Sequence, residues 1–327
     1  MIDIAESATL TRYRFQWLEV LPLAAALAAY FLVPDYLVFG AAVLVMAIFA
    51  ISLDLVIGFA GILTLGHGVF YGVGAYAAGL ITFVGWREPI TSALLGAAIA
   101  AAFAAATGPF VLRLKGLPLV MVTLSIGFIV LEAANKASWL TGGHNGLQNI
   151  EIAPILGRFE WSIYGDVNYL YVLAFLVVVV VAARIVVSSP FGVALQGIRE
   201  NEARMRVIGA PVLAQLVLAY TISAFVAGLA GALSTQTNAF VSLDVLSLDL
   251  SIYALAMLVL GGIGRLYGAL IGAVVYMGVQ YFTQQWNPSY SMFSIGILLI
   301  LVVRFGRGGL LGLSSSGLKR LSSRAAP

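Results

Sequence analysis

Long apolar runs alternate with short polar breaks along nearly the whole chain. The runs fall at 15–33, 37–57, 62–84, 90–112, 117–135, 169–187, 212–236, 245–262, 266–282 and 291–303. A membrane-crossing helix needs about 20 mostly apolar residues, so the pattern predicts about ten spans (8–10). The breaks carry turn chemistry: Pro34-Asp35, Arg87-Glu88-Pro89, Arg113-Leu114-Lys115-Gly116 and Gly261-Gly262-Ile263-Gly264-Arg265. Two features make the count soft. The last run is short, and the run at 62–84 follows Gly58 and Gly61 and holds Gly66, Gly68, Gly72, Gly74 and Gly79, so it could be re-entrant.

One stretch interrupts the pattern with charge: SSPFGVALQGIRENEARMRVIGAP at 188–211. Ser189 is an N-cap candidate with Pro190 at the first helical position, and Gly209-Ala210-Pro211 marks the end. Glu200 with Arg204, and Glu202 with Arg206, are spaced i,i+4, which brings opposite charges together on a helix surface. Arg199, Glu202 and Arg206 share a stripe. The segment reads as a helix outside the bilayer, either a partner-binding face or a solvated connector. Gly192 and Gly197 weaken it, so two short helices are an alternative, with 199–208 the half that meets a partner.

Composition agrees with a membrane chain. Of 327 residues, 61% are hydrophobic and 9% charged, against about 25% charged in soluble domains. The expected fold class is therefore an all-α polytopic transmembrane helix bundle. The net charge of +3 gives no nucleic-acid footprint. The absence of cysteine excludes disulfides and Cys-ligated metals. The start, MIDIAESATLTRYRF, lacks the order of a signal peptide.

The positions of the basic residues set an orientation. With both termini inside, the cytoplasmic segments hold Arg12, Arg14, Arg113, Lys115, Arg184, Arg199, Arg204, Arg206, Arg265, Arg304 and the basic tail. Only Arg87, Lys136 and Arg158 fall outside. The expected layout is a cytoplasmic segment 1–14, a membrane domain 15–303 and a basic cytoplasmic tail 304–327. Within the membrane domain, 136–168 is an external loop and 188–211 a cytoplasmic segment.

Candidate chemistry is sparse. There is no GxxxxGK[ST] loop, no HExxH and no GxSxG, so neither ATP hydrolysis by a P-loop nor these catalytic classes fit, and no catalytic residue is assigned. Two histidines do not make a His-based metal cluster. Few ionisable residues lie within the spans, which argues against a proton- or sodium-driven carrier, although that class and a passive channel stay open. Pathway candidates are Asp54, His67, Thr123 and Ser125. The alternatives are backbone-satisfying bonds for Asp54 and His67 and interhelical glue for Thr123 and Ser125. Gly142, Gly143 and Asn145 are either turn residues or a seat for an external partner.

Four stretches carry a family resemblance: LDLVIGFAGILTLGHGVFYGVGAYAAG (53–79), GLPLVMVTLSIGFIVLEAAN with LTGGHNGL (116–147), SPFGVALQGIRENEARMRVIGAP (189–211) with ISAFVAGLAGAL (222–233), and LDLSIYALAMLVLGGIGRLYGALIGAVV (248–275). In order and together they resemble the membrane permease subunits of ABC importers for branched-chain amino acids, of the LivM type. The resemblance implies a bacterial inner-membrane permease without a cofactor of its own, ATP being bound by partners. Those partners are a second homologous, LivH-type permease, two cytoplasmic ATPases and a periplasmic solute-binding protein. It also implies that Arg199, Glu200, Glu202, Ala203, Arg206 and Gly209 belong to the segment that docks on an ATPase. The chain departs from the importer pattern there, since Arg204 follows Glu202-Ala203 and Gly209 lies one place late. Urea, short amides and aromatic acids are alternative cargoes within the same family.

Overall fold

A computed structural model describes residues 21–155, 157–162, 164–287 and 290–305. The expected N-terminal segment 1–14 and the tail beyond 305 lie outside the described residues. Among these residues every regular element is helical, joined by isolated bridges at Leu147–Val241 and Ile155–Phe159. The α-helices are α1 (Leu21–Leu32), α2 (Leu37–Asp54), α3 (Gly68–Phe83), α4 (Pro89–Val111), α5 (Leu117–Lys136), α6 (Ser138–Thr141), α7 (Asp166–Ser188), α8 (Pro190–Val207), α9 (Val212–Asn238), α10 (Leu248–Gly261), α11 (Leu266–Trp286) and α12 (Ser291–Phe305).

Each predicted apolar run contains one helix. By length and composition, six segments suffice to cross a membrane: Pro34–Phe59, α4, α5, α7, α9 and α11. Apolar helices in α1, α3, α10 and α12 are shorter. The chain is thus a multi-pass membrane protein. The run at 62–84 is only partly helical. Gly61 adopts φ 73°, residues 61–67 are irregular, and the helix begins at Gly68. Its 16 residues rise about 24 Å, less than the roughly 30 Å hydrocarbon core.

Helices α2 and α9 form the centre. Residues 47–56 of α2 and its extension are buried without interruption, and apart from Ser52 and Asp54 they are apolar all round, as in a helix at the centre of a bundle. Helix α9 crosses α3 and α4 so closely that a Cβ at Gly231 would collide with the Tyr71 carbonyl, and one at Gly74 with the Gly228 backbone. Lipid offers no hydrophobic drive to bring helices together, so such contacts depend on small residues and on polar pairs. One such pair set centres on Gln236. Its Nε2 donates to the Pro89 carbonyl at 2.7 Å and to Ser92 Oγ at 3.0 Å, and its Oε1 accepts from the Tyr171 hydroxyl at 2.9 Å.

The two ends of the bundle differ in charge. One end gathers the turn after α4, helix α8 and the α10–α11 turn, tied by Lys115–Glu202 at 2.5 Å and by Asp54–Gly264 at 2.7 Å. It holds most of the described arginines: Arg113, Arg184, Arg199, Arg204, Arg206 and Arg265. The other end gathers the loop after α5 and the loops after α3 and α9. Arg87 pairs there with Glu151 at 2.9 Å, and Leu147 exchanges backbone bonds with Val241. Asp35, Glu88, Glu151, Glu160, Asp166 and Asp244 make that end acidic.

Candidate functional site

Helix α8 stands apart from the spans in being polar and in lying at the basic end. Ser189 caps it as expected, its Oγ accepting from the Gly192 N–H at 3.3 Å, with Pro190 following. The helix is broken, though not at its glycines. Asn201 leaves the helical region at φ −156°, ψ 93°, and its Oδ1 accepts from the Arg204 N–H at 2.9 Å. Asn201 therefore acts as a second N-cap, which a helix-interior Asn does readily because its side chain competes for backbone donors.

The break corrects one expected ion pair. Glu200 and Arg204 sit on opposite sides of Asn201, the i,i+4 register between them is lost, and no ion pair joins them. Glu202 and Arg206 lie within the second half and do pair, Arg206 Nη2 donating to Glu202 Oε1 at 2.6 Å. Lys115, from the basic turn after α4, reaches the other carboxylate oxygen. Partial burial raises the Glu202 carboxyl, but the hydrogen bonds and charges of Lys115 and Arg206 outweigh it and hold the group below the usual range. Its side chain is 21% exposed. Glu202 is thus enclosed between two cations, while Ala203, Arg206 and Gly209 are exposed around it.

Arg199 departs from the expected stripe. Its Nη1 donates to the Gly58 carbonyl, in the π turn Leu55–Phe59 that ends α2. Asp54 lies one turn earlier, fully buried, with Oδ1 accepting from the Gly264 N–H at 2.7 Å. Arg199 is close enough for its charge to act on that carboxylate. Asp54 Oδ2 is buried with no hydrogen-bond partner among the described residues. Gly58 makes the arrangement possible, because a Cβ there would collide with Asp54 Oδ1.

The remaining pathway candidates separate. His67 is buried between α2 and α9, with Nε2 3.0 Å from Ser52 Oγ and 3.3 Å from Ser223 Oγ. Both hydroxyls already donate to carbonyls, Ser52 to Phe49 at 2.6 Å and Ser223 to Ser52 at 2.5 Å. A hydroxyl has one proton, so Nε2 carries the imidazole proton and donates. Thr123 is buried and bonds its own helix at Val120, and its backbone is where Gly66 packs. Ser125 is exposed on α5, bonding Met121. The four do not converge on one cavity. At the opposite end, Gly142 and Gly143 take positive φ, and a Cβ at Gly142 would collide with the Gly146 carbonyl. They are turn residues, while Asn145 is exposed. Lys115, Asn201, Ser52, Ser223 and Gly264 complete these networks without having been singled out in the sequence. Asn201 alone carried a local signal, as a capping residue inside a helix.

Comparison with known proteins adds the rest. Residues 36–303 match a family described as branched-chain amino acid transport system / permease component. The high-affinity branched-chain amino acid permease LivM of Salmonella typhimurium is 31% identical over 303 residues, 86% of this chain and 71% of that protein. Its Escherichia coli counterpart is 31% identical over 297 residues, 84% of this chain and 70% of that protein. A probable LivH permease of Methanocaldococcus jannaschii is 23% identical over 227 residues, 66% of this chain and 70% of that protein. No solved structure matches significantly.

Proposed function

This chain belongs to the family of branched-chain amino acid transport system permease components, and we propose that it forms the translocation pathway of an ATP-driven importer for branched-chain or related amino acids. The observation that carries the reading is the match over 36–303, which takes in both the membrane helices and the polar helix α8. In this reading the energy comes from partner ATPases and α8 receives it.

In this reading the four shorter apolar helices join the six long ones as spans, giving ten, with both termini in the cytoplasm. The charge difference between the two ends supports that orientation through the preference of arginine and lysine for the cytoplasmic side. The compartment is the bacterial inner membrane. The partners are a second, LivH-type permease, two cytoplasmic ATPases that bind the ATP, and a periplasmic solute-binding protein that meets the acidic end near Asn145. Because the binding protein supplies affinity, the permease has no need of a deep charged site. ATP binding closes the ATPases, α8 is displaced and the spans reorient. Ala203 and Arg206, on the exposed part of α8, and Gly209, just past its end, meet an ATPase.

Charge reversal at Glu202 tests the reading. Glu202→Lys is expected to abolish uptake while the chain still inserts in the membrane. Normal uptake together with normal ATPase copurification would remove α8 from the coupling role.

A further inference from the structure

Helix α8 is anchored to two different parts of the molecule. Its first half is packed on the bundle through buried Leu195 and Ile198 and ends in Arg199. A Cβ at Gly61 would meet Arg199 Cγ at 2.8 Å, and one at Gly264 would meet its Nη1 at 3.3 Å. The guanidinium is therefore lodged between the end of α2 and the α10–α11 turn. Asp54 joins those same two places by accepting from Gly264. The second half of α8 begins at the Asn201 break and hangs on Lys115, in the turn between α4 and α5.

We propose that Arg199 and Asp54 form a positioning link that carries displacement of α8 into the turn 262–265, and so into α10 and α11, in each transport cycle. The proposal rests on the reading of the chain as a permease driven by partner ATPases. Arg199 Nη1 donates to the Gly58 carbonyl while its charge acts on Asp54, whose Oδ1 accepts from the Gly264 N–H, so one unbroken chain of contacts runs from α8 through the end of α2 to the turn 262–265. Coupling between distant parts travels through contiguous contacts of this kind.

The chain contains no cysteine, so labels introduced into it are unique within it, and the partners are used in cysteine-free form. Leu114→Cys and Ile263→Cys, both at exposed positions, are spin-labelled in the full complex with its partner permease and ATPases. The distance between them is measured without nucleotide and with ATP trapped. The wild-type background is expected to show a nucleotide-dependent shift. Arg199→Ala should lose that shift, Arg199→Lys should regain part of it, and Asp54→Asn should lose it while still holding Gly264. ATP consumed per solute imported should rise roughly tenfold in Arg199→Ala, the equilibrium weight of one charge-assisted hydrogen bond. A wild-type shift and stoichiometry in Arg199→Ala would overturn the link. So would a variant that only lowers the yield of assembled complex at an unchanged ratio, since that marks a structural staple. Absence of ATP-driven uptake in the unmutated complex would instead overturn the permease reading itself.

Discussion

Asp54 Oδ1 accepts a hydrogen bond from the Gly264 N–H at 2.7 Å, joining residues 210 positions apart. The bond ties the central helix α2 to the turn between α10 and α11. Asp54→Ala would leave that N–H without its acceptor, at a cost of about 1–3 kcal/mol. Asp54→Asn retains an amide oxygen and should cost less. Thermal unfolding of the purified chain in detergent checks both, and equal losses would contradict the assignment.

The crossing of α3 and α9 makes a sharper prediction. Gly231→Ala would push a methyl into the Tyr71 carbonyl, whereas Gly278 has open space around its Cα. Overpacking of this kind costs typically 1–3 kcal/mol and more where only backbone can yield. Gly231→Ala should sharply reduce folded protein in the membrane, and Gly278→Ala should leave it near the wild-type amount. Quantitative fluorescence-detected chromatography of the two variants distinguishes these outcomes.

His67 is a donor within a serine pair and not a group facing a cavity. His67→Ala should lower stability by about 1–3 kcal/mol by removing the Nε2 donor and opening a void. In reconstituted complex that remains folded, the KM for uptake should be unchanged. A KM change with unaltered stability would place His67 in the pathway instead.

Glu202 gives a pH dependence with a definite sign. Its carboxyl is held below the ordinary value of 4.5 in the folded chain. The hold of Glu202 on Lys115 is then fully present above 4.5 and is lost as pH falls through the lower folded value. A spin label at exposed Val207 should show constant mobility from neutral pH down to the ordinary value of 4.5 and rising mobility as pH falls further. Glu202→Gln should show the mobile spectrum throughout.

Much of this was legible in the sequence because lipid imposes a simple rule: satisfy the backbone within helices and expose apolar side chains. Each apolar run therefore returned a helix, and Ser189-Pro190 marked the start of α8. The break in the 62–84 run was partly legible, since its glycines marked it as a candidate re-entrant segment, but hydropathy does not register the φ of 73° at Gly61 or the delay of the helix to Gly68. One thing was not legible. The partners of Asp54, Arg199 and Glu202 come from elements far along the chain, and local spacing shows only neighbours on one helix. That is why Glu202–Arg206 could be anticipated and Glu202–Lys115 could not.

The source of energy tests the importer reading most directly. The chain is reconstituted in proteoliposomes with its partner permease and ATPases, and its solute-binding protein is supplied on the side of the acidic end. Leucine accumulation is then measured with ATP on the α8 side. Accumulation should require ATP and both partner types and should survive an uncoupler. Accumulation by this chain alone, driven by a proton or sodium gradient and abolished by the uncoupler, would contradict it.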